Sequence, residues 1–223
     1  KRQGLDSDIT AALHGINYTG NITLTNTTLQ ASVLESISEL TSGTVNARMI
    51  DTLLGTTAEL NTAYGLSNVS NLGDEACILS DTTLAVADLN TLDSHTSGLV
   101  NAATVTTLTG SAADMNTTYS SSGIIGLGNE ICSITNTETD TISATILSFI
   151  GGETTGAVTV ENAVHITGNH DEVTAALVTD ATKVVADTAT VTINDANSTE
   201  IDATELSAIG GKTSDTVTVS NAV

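Results

Sequence analysis

The sequence predicts a mixed β/α repeat, an elongated solenoid of parallel strands each followed by a short helix. Three observations lead there: a register that recurs about every 55 residues, apolar landmarks that split each long repeat in two, and a shortage of large side chains. Only 2% of the 223 residues are aromatic, and Trp and Pro are absent, so the bulky rings that usually dominate a compact core are nearly absent. Disorder is excluded by the other side of the composition. Hydrophobic residues make up 39%, mostly Val, Ile, Leu and Ala, and the acids are scattered singly among Thr, Ser and Asn, whereas disordered acidic tails are poor in apolar residues and rich in Glu, Lys and Pro.

The repetition is explicit. Shifting Ile22–Leu29 by 55 lands on Cys77–Leu84, and the same shift carries Thr41-Ser42-Gly43 onto Thr96-Ser97-Gly98, Asn61 onto Asn116, Tyr64 onto Tyr119, Glu75 onto Glu130 and Cys77 onto Cys132. The offset then drifts: Gly98 matches Gly156 and Gly110 matches Gly168 at 58, and Gly151-Gly152 match Gly210-Gly211 at 59. Short insertions account for the drift. The array therefore reads as one continuous unit over 1–223, with long repeats at about 22–76, 77–131, 132–190 and an incomplete 191–223.

Each long repeat has two related halves, marked by an apolar residue near an acid at Ile9, Leu34, Leu60, Leu89, Met115, Leu147, Val173 and Leu206. Around these landmarks Leu60 with Ala63 and Tyr64, Met115 with Thr118 and Tyr119, and Val173 with Ala176 and Leu177 share one helical face. Four of the helices open on a capping residue with an acid three places on: Thr56 and Glu59, Ser111 and Asp114, Asn169 and Glu172, Asp202 and Glu205. Such pairs satisfy the orphan amides of a first turn. Before the helices run short alternating segments such as Ile22–Leu24, Ile78–Leu79, Val164–Ile166 and Val191–Ile193, the pattern of strands with one buried face. They close on Asn26, Asp81, Asn136 and Asp195 or on Gly55, Gly110 and Gly168, which are expected to form the turn into the helix. Further alternating runs at Ala157–Val160 and Thr216–Val219 follow the Gly-rich helix exits.

One such unit is too small to be stable alone, so backbone pairing and stacking on neighbours must supply the rest. The absence of Pro, which removes a ladder donor, agrees with this. Asp8-Ile9 with Ala12 and Leu13 already read as a helix, and the last copy stops at Ser220–Val223 where its predecessor continues to Gly168. The native protein is expected to be longer, which leaves the lack of a signal peptide uninformative.

Phrases such as TTAELNTAY at 56–64, VTAALVTDATKVVADTATVTI at 173–193 and DATELSAIGGKTSDTVTVSNAV at 202–223 resemble repeats in giant cell-surface and envelope proteins of marine picocyanobacteria, a group associated with swimming motility. Shorter AELN-type phrases are similar to phage tail-fibre repeats. The resemblance spans nearly the whole chain. It implies an extracellular or cell-surface location and a structural or adhesive role, and it carries no catalytic residues.

Chemical motifs are scarce, and no enzyme is expected. His14, His95, His165 and His170 lack the companions of a zinc site, and no GxSxG, Walker A, HExxH or dinucleotide-binding signature occurs. No cofactor is expected, with calcium as the one metal to weigh. The acidic nonapeptide repeats and EF-hand loops that bind it are missing, which leaves Asp171, Glu172 and Asp195 as weak calcium candidates. Their alternative role is helix capping and solubility.

The formal net charge of -21 argues against nucleic-acid partners, and no apolar run reaches the length of a membrane span. The expected partners are neighbouring repeats, copies of the chain itself, or cell-surface glycans. Thr-rich strands raise a third idea, a flat ice- or polysaccharide-binding face, but the alternation of halves is expected to break the regular Thr ranks it needs. Cys77 and Cys132 would be neighbours if a coil were 55 residues long. With each half a coil they stand two rungs apart, beyond disulfide reach, and free or buried thiols are expected. Sequons at Asn17, Asn21, Asn26, Asn68, Asn116 and Asn197 arise by chance in a chain so rich in Asn and Thr.

Overall fold

The computed structural model describes residues 2–220. Along the chain the elements are β1 (Arg2–Gly4), α1 (Asp6–Leu13), β2 (Ile22–Leu24), β3 (Thr28–Gln30), α2 (Ala31–Glu39), β4 (Val45–Asn46), β5 (Thr52–Gly55), α3 (Thr57–Tyr64), β6 (Val69–Ser70) and β7 (Ala76–Leu79). There follow β8 (Thr83–Ala85), α4 (Val86–His95), β9 (Val100–Asn101), β10 (Thr107–Gly110), α5 (Ala112–Ser120), β11 (Ile124–Ile125), β12 (Ile131–Ile134), β13 (Thr141–Ser143) and α6 (Ala144–Glu153). The last are β14 (Val158–Val160), β15 (His165–Gly168), α7 (His170–Val173), β16 (Val184–Val185), β17 (Thr190–Ile193), α8 (Ala203–Gly210) and β18 (Val217–Val219). The fold is mixed α/β, and the pairings that join its strands into sheets are parallel.

The chain divides into two compact units. The first gathers the residues up to Leu84 with Asp88–Val105 and Ser122–Gly126; the second gathers Ala85–Ala87, Thr106–Ser121 and the residues from Leu127 on. In the first unit one sheet runs β1-β2-β4-β6 and another β3-β5-β7-β9-β11. Leu29, Leu53, Cys77, Val100 and Ile124 form a continuous inward row across the second of these. In the second unit one sheet contains β10-β12-β14-β16 in that order and the other runs β13-β15-β17-β18. Ile142, Ile166, Val191 and Val217 form an inward row in the latter. Aliphatic residues at matching heights pack directly on one another, which is how a chain with few large rings closes a core.

The landmark side chains are buried from Ile9 to Val173. Leu206 is only half-buried, and Ile209 carries the packing of α8 instead. Capping follows the local chemistry. Thr56 with Glu59 and Asn169 with Glu172 form reciprocal capping boxes, Ser111 accepts from the Asp114 amide, and Asp202 caps through the Thr204 amide rather than that of Glu205. Helix α7 continues as a π turn at Thr174–Val178 and a 3-10 turn at Asp180–Thr182, and Lys183 then turns left-handed with φ 51°.

Two expectations need correction. Asn26, Asp81 and Asn136 lead not into a helix but into a second short strand, β3, β8 or β13, and only then does the helix begin. Gly55, Gly110 and Gly168 do precede the helix cap, and two of them are required by crowding: a Cβ on Gly110 would lie 2.4 Å from Val86 Cγ2, and one on Gly168 2.9 Å from Ala144 Cβ. The cysteines are free and buried, but they occupy different sheets, Cys77 between Leu53 and Val100 and Cys132 between Leu108 and Val158. Residues 221–223, on which the reading of a truncated last copy rests, lie outside the described residues.

Candidate functional site

The most concentrated chemistry is a Tyr-Glu-Cys cluster that occurs once in each unit. In the first unit the Tyr64 hydroxyl, at the end of α3, donates to Glu75 Oε2 at 3.0 Å and lies 3.4 Å from Cys77 Sγ. Gly73 N–H donates to the same carboxylate oxygen at 2.8 Å, and the His95 ring stacks on Tyr64 with centroids 5.4 Å apart. In the second unit Tyr119 donates to Glu130 Oε2 at 3.0 Å and lies 3.2 Å from Cys132 Sγ. The carboxylates are fully enclosed, with Glu75 1% and Glu130 0% exposed. They differ in one atom: Glu130 Oε1 accepts from the Gly128 and Asn129 amides at 2.8 and 3.2 Å, whereas Glu75 Oε1 is buried with no partner among the described residues.

Burial pushes both tyrosine hydroxyls up, helped by the adjacent thiols, so they remain protonated donors. Burial likewise pushes both thiols up. A protonated, enclosed thiol is a poor nucleophile, and these clusters act as hydrogen-bonded core. The matching spacing of Tyr, Glu and Cys was visible in the sequence at an offset of 55; their convergence was not, because they lie 11 and 13 residues apart on different elements.

Around the same position a threonine clamp bridges segments 21 to 24 residues apart. Thr41, Thr96 and Thr154 hydroxyls donate to the Gly20, Glu75 and Glu130 carbonyls at 2.7, 2.7 and 2.6 Å, and each oxygen accepts the amide of Gly43, Gly98 or Gly156 at 2.9, 2.9 or 3.0 Å. Thr213 repeats the bond to the Ala189 carbonyl, with Asp215 in the glycine's place. The approach is close: a Cβ on Gly98 would lie 2.3 Å from Glu75 O, and one on Gly156 2.1 Å from Glu130 O.

A second device is a strut. Asn26 Oδ1 accepts from the Asp6 amide at 2.9 Å, Asp81 Oδ2 from Thr57 at 2.7 Å, Asn136 Oδ1 from Ala112 at 2.8 Å and Asp195 Oδ2 from His170 at 2.9 Å. Each side chain thus fills an orphan donor at the first turn of a helix 20 to 25 residues earlier. Sequence reasoning gave these residues a local turn role. The readable signal was their fixed spacing from the helix starts.

The calcium candidates belong to the fourth strut. Asp195 Oδ1 lies 2.7 Å from His170 Nδ1, Asp171 Oδ1 lies 3.4 Å from His170 Nε2, and Glu172 Oε2 accepts the Asn169 amide at 2.9 Å. The hydrogen bond to Asp195 holds the His170 proton to higher pH than usual. Burial opposes ionisation of Asp195, yet bonds from His170 hold its carboxyl below the ordinary range. No group of three His, Cys, Asp or Glu side chains among the described residues is placed to hold a metal ion. No helix there is long and apolar enough to cross a membrane.

His165 Nδ1 meets Thr190 Oγ1 at 2.8 Å, and His14 is exposed. Among the sequons, Asn26 and Asn68 have their amide nitrogens engaged, by Asp6 and by the Ser38 carbonyl. The expected irregularity of Thr ranks does not hold in the sheet of β13, β15, β17 and β18. There Thr141, His165 and Thr190 stand in register, and Ser143, Thr167, Thr192 and Thr218 form a parallel rank. The sheet takes strands from both halves at matched height, so the alternation of halves does not disturb it.

Comparison with protein-family models, with curated proteins and with solved structures finds no match for the chain.

Proposed function

We propose that this chain is a structural repeat segment of a large secreted or cell-surface protein, a solenoid that serves as spacer, filament or envelope layer without catalysis. The observation that carries this reading is the recurrence of the strut and the clamp. Both spend a side chain's polar group on a neighbouring coil, at Asn26, Asp81, Asn136 and Asp195 and again at Thr41, Thr96, Thr154 and Thr213. Selection for coil-on-coil cohesion explains such repetition, since each coil is stabilised through its neighbours. The net charge of -21 keeps a long segment soluble and self-repelling.

A ligand-binding adhesin or tail-fibre module is the second reading. The uncharged hydroxyl ranks of Ser143, Thr167, Thr192 and Thr218 favour it, and a glycan array separates it from a passive rod. Small-angle scattering with calcium and then with chelator tests the main reading. A rod of constant cross-section in both conditions is expected. Collapse on chelation would make calcium structural, and a compact sphere in both would sink the solenoid.

A further inference from the structure

The outward face of the sheet β13-β15-β17-β18 carries a net of small hydroxyl side chains. Ile142, Ile166 and Val191 turn inward and are buried, so strand alternation turns their neighbours outward. Those neighbours form two ranks. Thr141, His165 and Thr190 stand in register in the first, which Thr216, next to Val217, extends; Ser143, Thr167, Thr192 and Thr218 form the second. The ranks lie two residues apart along each strand, about 6.7 Å, and their members are about 4.8 Å apart between strands. No bond among the described residues engages the hydroxyls of Thr167, Thr192 and Thr218. Ser143 meets Thr145 Oγ1 at 2.6 Å, and Thr190 Oγ1 meets His165 Nδ1 at 2.8 Å. In a chain of formal net charge -21, none of these outward positions holds an acid.

Chemistry narrows the occupant. An open sheet face offers a small soluble ligand no cavity. No Trp, Tyr or Phe stands on it to stack on a sugar ring, and no Lys or Arg to hold an anion. What the face does present is a periodic net of uncharged donors and acceptors, most of them beside a methyl group. The strand ladder fixes their spacing, and β-branching confines the threonines to few rotamers, so little further ordering is needed on binding. The matching partner is a solid that is itself a periodic net of water, with repeats on the same scale. We propose that this face binds the surface of ice. Waters held by the Thr167, Thr192 and Thr218 hydroxyls take positions set by the backbone repeat, and those positions continue into the lattice. The inference deepens the second reading, that this sheet is a binding face, and rests on it.

Uptake of the full chain into slowly grown polycrystalline ice, read as the ratio of protein in the ice to protein left in the liquid, tests it. The chain is expected to enter the ice and to slow the coarsening of ice grains in a recrystallisation assay. Thr192→Lys, in the middle of the second rank, should lower the uptake several-fold. Thr218→Lys, at an exposed position, should lower it as well and covers the case in which the first variant disturbs the sheet. Ala113→Lys, on the exposed side of α5, should enter like the parent. His165→Thr completes the first rank and should raise the uptake. Exclusion of the chain from ice overturns the proposal, as does uptake indifferent to both Thr192→Lys and Thr218→Lys. Binding on a glycan array without uptake into ice would also overturn it, leaving the sheet a binding face and removing only this ligand.

Discussion

The Tyr119-Glu130-Cys132 cluster and the Leu177-Ala189-Val191 trio occupy equivalent places one long repeat apart, and one is polar where the other is apolar. The clamp is the same in both: Thr154 bonds the Glu130 carbonyl and Thr213 the Ala189 carbonyl. The local backbone geometry therefore belongs to the main chain and its threonine, and the enclosed side chains can be either a satisfied network or a hydrocarbon plug. A network that loses one member, however, leaves a buried group unmet.

The sharpest test of that comparison is to break and then convert the polar copy. Tyr119→Leu alone leaves the enclosed Glu130 without its hydroxyl donor and should cost about 3 kcal/mol in a denaturant melt. Converting the whole cluster, with Tyr119→Leu, Glu130→Ala and Cys132→Val, should recover stability to within about 1 kcal/mol of the parent. A triple variant as weak as the single one would show that the polar network itself holds this region together. Next in size is the clamp common to both copies: Gly156→Ala drives a methyl into the Glu130 carbonyl and should cost about 2 kcal/mol, read as a lower thermal midpoint.

The struts are weaker. Asp81→Ala or Asn136→Ala removes the acceptor for one helix-start amide and should cost about 1 kcal/mol; no change in the urea midpoint would show that the strut contributes nothing to stability. The smallest effect separates the fourth strut from the neutral second and third helix starts at Thr57 and Ala112. Because His170 has its pKa raised through Asp195, its contribution is full below the ordinary histidine value of about 6.5 and fades as pH rises through the folded value. Thermal stability should therefore decline modestly toward alkaline pH, and Asp195→Asn should flatten that decline.

What was legible in the sequence follows how local each cause is. The caps at Thr56, Ser111, Asn169 and Asp202 were readable because cap and amide lie within three residues. Buried landmarks from Ile9 to Val173 were readable from helical spacing. The strut of Asp81 was not, since its partner Thr57 lies 24 residues away and nothing adjacent marks it. Strands β3, β8 and β13 were hidden for a related reason: a three-residue strand running straight into a helix has too short a period to register as alternation. The Tyr-Glu-Cys clusters stood in plain view as matched positions, and only the pairing of β7 and β12 with their neighbours brought them together.

The five-stranded sheet of β3-β5-β7-β9-β11 draws on residues from Thr28 to Ile125, a span longer than the repeating text that encodes it. A duplication of one 55-residue stretch cannot therefore deposit a finished sheet; it hands its first strands to the sheet already under way and opens the next. Unequal crossing-over between copies would lengthen or shorten such a protein without leaving a seam, whereas loss of half a copy would shift every later strand into a place meant for another.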